Sequence, residues 1–228
     1  MIRSLAAPSV FLTMLASAYA DGDLLSYWNF NNTTKNSENS LGTFNTEPAM
    51  FGEAFDPQTK HIAANTNFNT VFHGDNVYLD LSGLSGGDAA ETKRTWGAFV
   101  ESKANKLKQD DTQGGSLLFT AANNGSHITF VLSTEGYKNL AMSYAHRAND
   151  ASVIQWSYSL DGKTFTQFKE VDRSTAFNKE AINLSGEGGL GLSQLDNQKT
   201  IYLRATLVYP AAPAGSLALD NFQLTGSQ

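Results

Sequence analysis

The 228-residue chain contains no cysteine. That excludes a disulfide framework, a cysteine nucleophile and any thiolate metal site, so stability must come from packing, hydrogen bonds or a bound ion. Basic residues are also scarce. Sixteen Lys and Arg against 22 Asp and Glu leave a formal charge of −6, with no dense basic run. Nucleic acid is not expected as a partner, because phosphate contacts need a cationic surface. No apolar run reaches the ~20 residues a helix needs to cross a bilayer, so no transmembrane segment is expected. After the first turns of the chain no stretch holds a 3.6-residue apolar period, which disfavours helices. Catalytic signatures are missing too: His61, His73, His127 and His146 show no metal-ligand spacing, and no serine sits in G-x-S-x-G.

What is present begins with Arg3, the apolar Val10, Phe11, Leu12, Met14 and Leu15, and Ala18-Tyr19-Ala20 before Asp21. This pattern reads as a secretory signal peptide over residues 1–20. Residues 21–228 then form a single domain, and the protein is expected to be secreted or held at the cell surface.

Apolar residues recur with a period of two in Val77/Leu79/Leu81, Trp96/Ala98/Val100, Ile128/Phe130/Leu132, Leu140/Met142/Tyr144 and Ile201/Leu203/Ala205/Leu207. Such alternation marks strands with one buried face. Ile154 to Leu160 places Ile154, Trp156, Tyr158 and Leu160 on one face. The Asp161-Gly162 pair that follows suits a type I′ turn, with Lys163 to Phe168 returning as the partner strand. Gly-, Asn- and Ser-rich turns between short strands favour antiparallel pairing. The fold class is all-β: a two-sheet antiparallel sandwich of jelly-roll type. Lys103 to Gly114 reads as an exposed loop.

Three segments carry a family likeness: Leu24-Leu25-Ser26-Tyr27-Trp28-Asn29-Phe30-Asn31, the span Leu140 to Gly162, and Leu219-Asp220-Asn221-Phe222-Gln223-Leu224. In order and spacing they resemble exported bacterial β-sandwich proteins of the PEP-CTERM-associated type. The final Gly226-Ser227-Gln228 departs from the sorting tail of that family. The resemblance implies export and a jelly-roll-like fold, and it implies no activity.

Asp220 shares the period-two phase of Phe222 and Leu224, so alternation points a carboxylate at the core, where it needs a partner. The Leu-Asp-Asn-Phe ending looks like that of carbohydrate-binding and MAM-like jelly rolls, in which such an aspartate joins the first strand at a structural calcium. That likeness implies Ca²⁺ held by Asp220 with Asn29, Asn31 and Asp23, Asp21 standing nearby; Ca²⁺ takes six to eight oxygens from such groups. Two alternatives stand beside it: a bulge that turns Asp220 to solvent, or a salt bridge to Arg147 or Arg204. Tyr27, Tyr78, Tyr202 and Tyr209 are candidates for stacking on sugar rings, against ordinary packing. His146-Arg147 is a candidate contact for an anionic sugar, against a structural hydrogen bond.

The sequence thus leads to a non-catalytic, exported binding or structural module, with extracellular polysaccharide or another glycan as the leading ligand class. The alternative is an extracellular glycosidase or lyase whose two acids meet only in the fold.

Overall fold

The computed structural model describes residues 22–28, 42–43, 55–56, 58, 61–63, 69–83, 95–98, 105, 117–149, 153–172, 174–208 and 214–228. The expected signal peptide, Asp21, Asn29, Asn31 and Tyr209 lie outside these residues.

The strands, in chain order, are β1 (Asp23–Trp28), β2 (Gly42–Thr43), β3 (Phe55–Asp56), β4 (His61–Ala63), β5 (Asn69–Phe72), β6 (Tyr78–Asp80), β7 (Thr95–Ala98), β8 (Leu117–Asn123), β9 (His127–Leu132), β10 (Lys138–Asn149), β11 (Val153–Ser159), β12 (Thr166–Asp172), β13 (Asn178–Asn183), β14 (Ile201–Val208) and β15 (Ala214–Ser227). Among the described residues the one helical element is a 3₁₀ turn at Ser193–Leu195. An eight-stranded sheet runs β13-β10-β15-β8-β7-β2, with β1 on β15 and β5 on β1. A seven-stranded sheet runs β12-β11-β14-β9-β6-β4-β3. Neighbouring strands pair antiparallel, and the protein is an all-β, two-sheet sandwich, as the alternation requires.

The inner faces are those the sequence pattern marks. In β14, Ile201, Leu203, Ala205 and Leu207 are buried while Tyr202, Arg204, Thr206 and Val208 are half-buried. In β10, Leu140, Met142 and Tyr144 enter the same core as Ile128, Phe130 and Leu132 of β9. At its centre Phe130 stacks on Phe222 of β15 with ring centroids 4.0 Å apart. Trp28 of β1 meets Phe130 edge-on at 6.1 Å. Trp156 of β11 donates its indole N–H to the Tyr144 hydroxyl at 2.8 Å, a hydrogen bond that crosses from one sheet to the other. Burial pushes the Tyr144 phenol well above the usual tyrosine range, so it stays a neutral acceptor.

β15 is the strand on which the eight-stranded sheet branches. Along one edge it pairs with β10 from Ser216 to Ser227. Along the other it pairs with β8 up to Leu219 and with β1 from Phe222 onward. Asp220 and Asn221 occupy the gap between these two partners, where the β10 register also slips. Asn221 adopts φ 50°, a left-handed conformation that asparagine tolerates. Its backbone groups are satisfied by side chains: its N–H donates to Asp220 Oδ1 at 2.8 Å, and its carbonyl accepts from Asn105 Nδ2 at 2.8 Å. The Tyr27 hydroxyl donates to Asn221 Oδ1 at 2.8 Å, and Asn221 Nδ2 to Asp220 Oδ2 at 3.2 Å.

This bulge corrects the simple alternation. It resets the phase so that Leu217 and Leu219 join Phe222 and Leu224 in the core. Asp220 is nevertheless only 1% exposed, so the bulge does not turn it to solvent. Arg204, a suggested partner, is on the other sheet. Asn105, expected in an exposed loop, is anchored to Asn221 and also donates to Ser143 Oγ at 3.1 Å. Tyr27, a stacking candidate, is 2% exposed and belongs to this knot.

The β11–β12 hairpin forms as expected, but its turn is wider. Tyr158 pairs with Thr166, leaving a loop from Ser159 to Phe165. Of Asp161 and Gly162 only Gly162 has positive φ, so the turn is not type I′. Asp161 Oδ1 instead accepts from the backbone N–H groups of Thr164 and Lys163, each at 2.8 Å, and from Ser159 Oγ. These donors hold its carboxyl far below the usual carboxylate range. Leu160, expected in the core, lies past the end of the strand and is 46% exposed.

Tyr144→Phe strands the Trp156 indole N–H in the core, and we expect it to destabilise the protein by about 1–3 kcal/mol. Urea unfolding reads this as a lower midpoint at unchanged slope; an unchanged midpoint would mean that the inter-sheet bond adds nothing.

Candidate functional site

The outer face of the seven-stranded sheet collects side chains that the core does not use. Register sets them in two rows across the strands. In the first, Ser159 is opposite Tyr202, Tyr202 opposite Val131, and Val131 opposite Tyr78. In the second, Ser157 faces Arg204, Arg204 faces Thr129, Thr129 faces Asp80, and Asp80 faces His61. With strands ~4.8 Å apart, Tyr202 and Tyr78 stand ~10 Å from each other through Val131.

Each group on this face is held from the side. The His61 ring stacks on Tyr78 with centroids 4.2 Å apart. Asp80 Oδ1 accepts from the Ser82 N–H at 2.8 Å and lies 3.7 Å from His61 Nε2. Burial raises the Tyr78 phenol, aided by Tyr202 and Asp80, so it remains a hydroxyl able to donate and accept. The Arg204 guanidinium carbon lies 3.4 Å over the ring of Phe165, and its Nε donates to Thr129 Oγ1 at 3.2 Å. Burial lowers the guanidinium pKa, and the charge of Asp80 opposes that shift.

Two glycines let rings lie against backbone. A Cβ at Gly83 would fall 2.1 Å from His127 Nε2, so only glycine admits the imidazole there. A Cβ at Gly162 would lie 2.9 Å from Tyr202 Cζ, and φ +70° at that residue also favours glycine. The hairpin loop thus packs against one side of Tyr202 and, through Phe165, under Arg204. Burial holds the His127 pKa down, which favours neutral imidazole.

The expected calcium ligands are only partly placed. Asp23 pairs with Gly226, six residues of β15 from Asp220, or ~20 Å along the strand. It therefore cannot share an ion with Asp220 and leaves the expected ligand set. Asn29 and Asn31 lie outside the described residues, among which no group of three or more His, Asp or Glu gathers.

Of the His146-Arg147 candidate, the histidine is corrected. His146 continues the inward phase of Leu140, Met142 and Tyr144, and it is 0% exposed. Neither ring nitrogen has a hydrogen-bond partner among the described residues. It cannot meet a glycan. Arg204, expected only as a partner for Asp220, is instead a half-buried cation on the face that carries Tyr78 and Tyr202. Tyr78 and Tyr202 were among the stacking candidates, and the fold brings them onto one row.

No family model matches the chain, and no curated protein sequence matches it. Among solved structures it is similar to the CBM22-1 xylan-binding domain of Xyn10C from Paenibacillus barcinonensis, at 11% identity over 91% of this chain and 97% of that one, TM-score 0.40. It is also similar to TmCBM61 in complex with β-1,4-galactotriose, at 11% identity over 63% and 87%, TM-score 0.38. A third is the N-terminal cellulose-binding domain of β-1,4-glucanase C from Cellulomonas fimi, at 16% identity over 58% and 89%, TM-score 0.34. These are likenesses of outline, and the functional reading rests on the chain's own residues.

Burial pushes the His146 imidazole down to about 4, below the ~6.5 of an unfolded histidine. The unfolded chain therefore binds a proton that the folded chain refuses between those values. His146 costs nothing in this respect above pH ~6.5, and stability falls by about 3 kcal/mol as pH drops to about 4. His146→Leu should remove that part of the slope when denaturant unfolding of both proteins is compared across the window. Parallel pH profiles would show that His146 is solvated.

Proposed function

We propose that the protein is an exported, non-catalytic carbohydrate-binding module whose binding surface is the outer face of the seven-stranded sheet. The observation that carries this reading is the shared row of Tyr202 and Tyr78, flanked by the donor Arg204 and the acceptor Asp80. A pyranose has apolar C–H faces and a rim of hydroxyls. Aromatic rings match the first, and a guanidinium, a carboxylate and two phenols match the second. On a central region of sheet these groups are fixed by the rigid scaffold, so little ordering is required on binding.

Glycoside hydrolysis is less well supported. It uses two carboxyl groups ~5–10 Å apart. On this face Asp80 is in β6, and the exposed Glu170, bonded to Gln155, is in β12. Four strand spacings, ~19 Å, separate those two strands. Affinity electrophoresis in gels carrying soluble polysaccharides tests the binding reading. Tyr202→Ala and Tyr78→Ala should each weaken retardation about tenfold while leaving the melting temperature nearly unchanged. Loss of neither, with retardation intact, would move the site elsewhere.

The structural Ca²⁺ belongs to the same proposal, with Asp220 as its carboxylate and Asn29 and Asn31 as first-strand ligands. Its support is a carboxylate that is almost wholly buried beside the end of β1. An ion bound only to the folded chain at a hundredfold excess over its Kd adds about 2.7 kcal/mol, on the order of 5–10 °C in Tm. Melting in Ca²⁺ against EDTA should show that rise, and Asp220→Asn should abolish the difference. Superimposed wild-type curves would leave Asp220 as a buried acceptor within the chain, with no bound ion.

A further inference from the structure

Among the described residues, Arg204 is a charge on this face that the chain's own contacts leave without an ion-pair partner. Phe165 covers one side of its guanidinium, and Thr129 takes the Nε edge. The Nη groups have no hydrogen-bond or ion-pair partner among the described residues. Asp80 does not supply one. Its Oδ1 is occupied by Ser82 and faces His61, and its strand is two removed from that of Arg204. A half-buried cation with no carboxylate in contact among the described residues keeps part of its desolvation cost unanswered, which a bound anion would offset. Burial lowers its proton affinity in keeping with that, although Asp80 acts in the opposite direction.

Within the two rows Arg204 is the one lysine or arginine among the described residues. His127 is disposed to be neutral, and Tyr78 and Tyr202 are phenols. Asp80 would repel a second acidic group at the β6 end, so an acidic sugar has one favourable orientation along the row. The chain's formal charge of −6 gives no long-range attraction to a polyanion. Recognition therefore has to occur at contact, where the planar fork of a guanidinium matches two oxygens of one oxyanion.

We infer that the face takes an acidic glycan, whose uronate carboxylate or sulfate ester binds the Nη edge of Arg204 while the adjoining sugar lies against Tyr202. This rests on the carbohydrate-binding reading and names the ligand class for it. Phe165 is the positioning residue, because its ring lies 3.4 Å from the guanidinium carbon and holds that group in place beside Thr129.

The test uses the full chain in affinity electrophoresis with paired polymers: polygalacturonate and its methyl ester, dextran sulfate and dextran. Retardation by polygalacturonate but not by its ester identifies a carboxylate ligand, and retardation by dextran sulfate but not dextran identifies a sulfate. In either case Arg204→Gln should raise Kd about tenfold or more. Arg204→Lys should recover only part of the loss, since an ammonium lacks the fork. Phe165→Leu should weaken the acidic polymer alone. Melting curves of each variant confirm that the sheet is intact. Equal retardation by both members of each pair, or equal loss on Arg204→Gln, would overturn the acidic-ligand inference and leave carbohydrate binding standing. Absence of retardation by these four and by neutral xylan and galactan would overturn both.

Discussion

The sandwich depends on how β15 serves three neighbours at once. A strand of 14 residues must pair with β10 on one side and share its other edge between β8 and β1. Where the partner changes, backbone groups would be left unpaired in the interior of a sheet, at a cost of about 1–3 kcal/mol each. The Asp220-Asn221 bulge resolves this with local chemistry, using Asp220, Asn105 and Tyr27 to bind the groups of Asn221. It also resets the side-chain phase, which brings Phe222 onto Phe130 while keeping Leu219 and Leu217 inside. The contact between the two sheets therefore follows from one irregularity in the last strand.

That knot also distinguishes the two outer faces. On the eight-stranded sheet the chain folds back on itself: Asn105 donates to Ser143, and Gln223 donates to the Asn105 carbonyl. On the seven-stranded sheet the outward side chains Tyr202, Arg204, Tyr78 and Asp80 are half-buried, with Val131 and Thr129 buried between them.

Much of the fold was legible from residues alone. Alternation marked the inward faces of β9, β10 and β14, and it placed Tyr78 and Tyr202 out of phase with their apolar neighbours. The inward phase of His146 was likewise present in the sequence, as a continuation of Leu140, Met142 and Tyr144. What alternation cannot carry is an inserted residue, which is why Asp220 was counted into the core by the wrong route. Nor can it carry pairing between distant strands: Tyr78 and Tyr202 share a row only because β9 lies between β6 and β14. The Asp161-Gly162 turn misled for a different reason, since the aspartate side chain, which binds two backbone N–H groups, widened the loop. That wider loop is what delivers Phe165 to Arg204.

β14 separates two tasks residue by residue. Its even-numbered positions, Tyr202 to Val208, face outward, and its odd-numbered positions are sealed in the core between β11 and β9. Exchanging an outward side chain leaves the packing of Ile201, Leu203, Ala205 and Leu207 untouched. The outward surface can thus drift through single substitutions on one strand while the architecture is inherited unchanged, which makes the face evolvable and equally open to grafting.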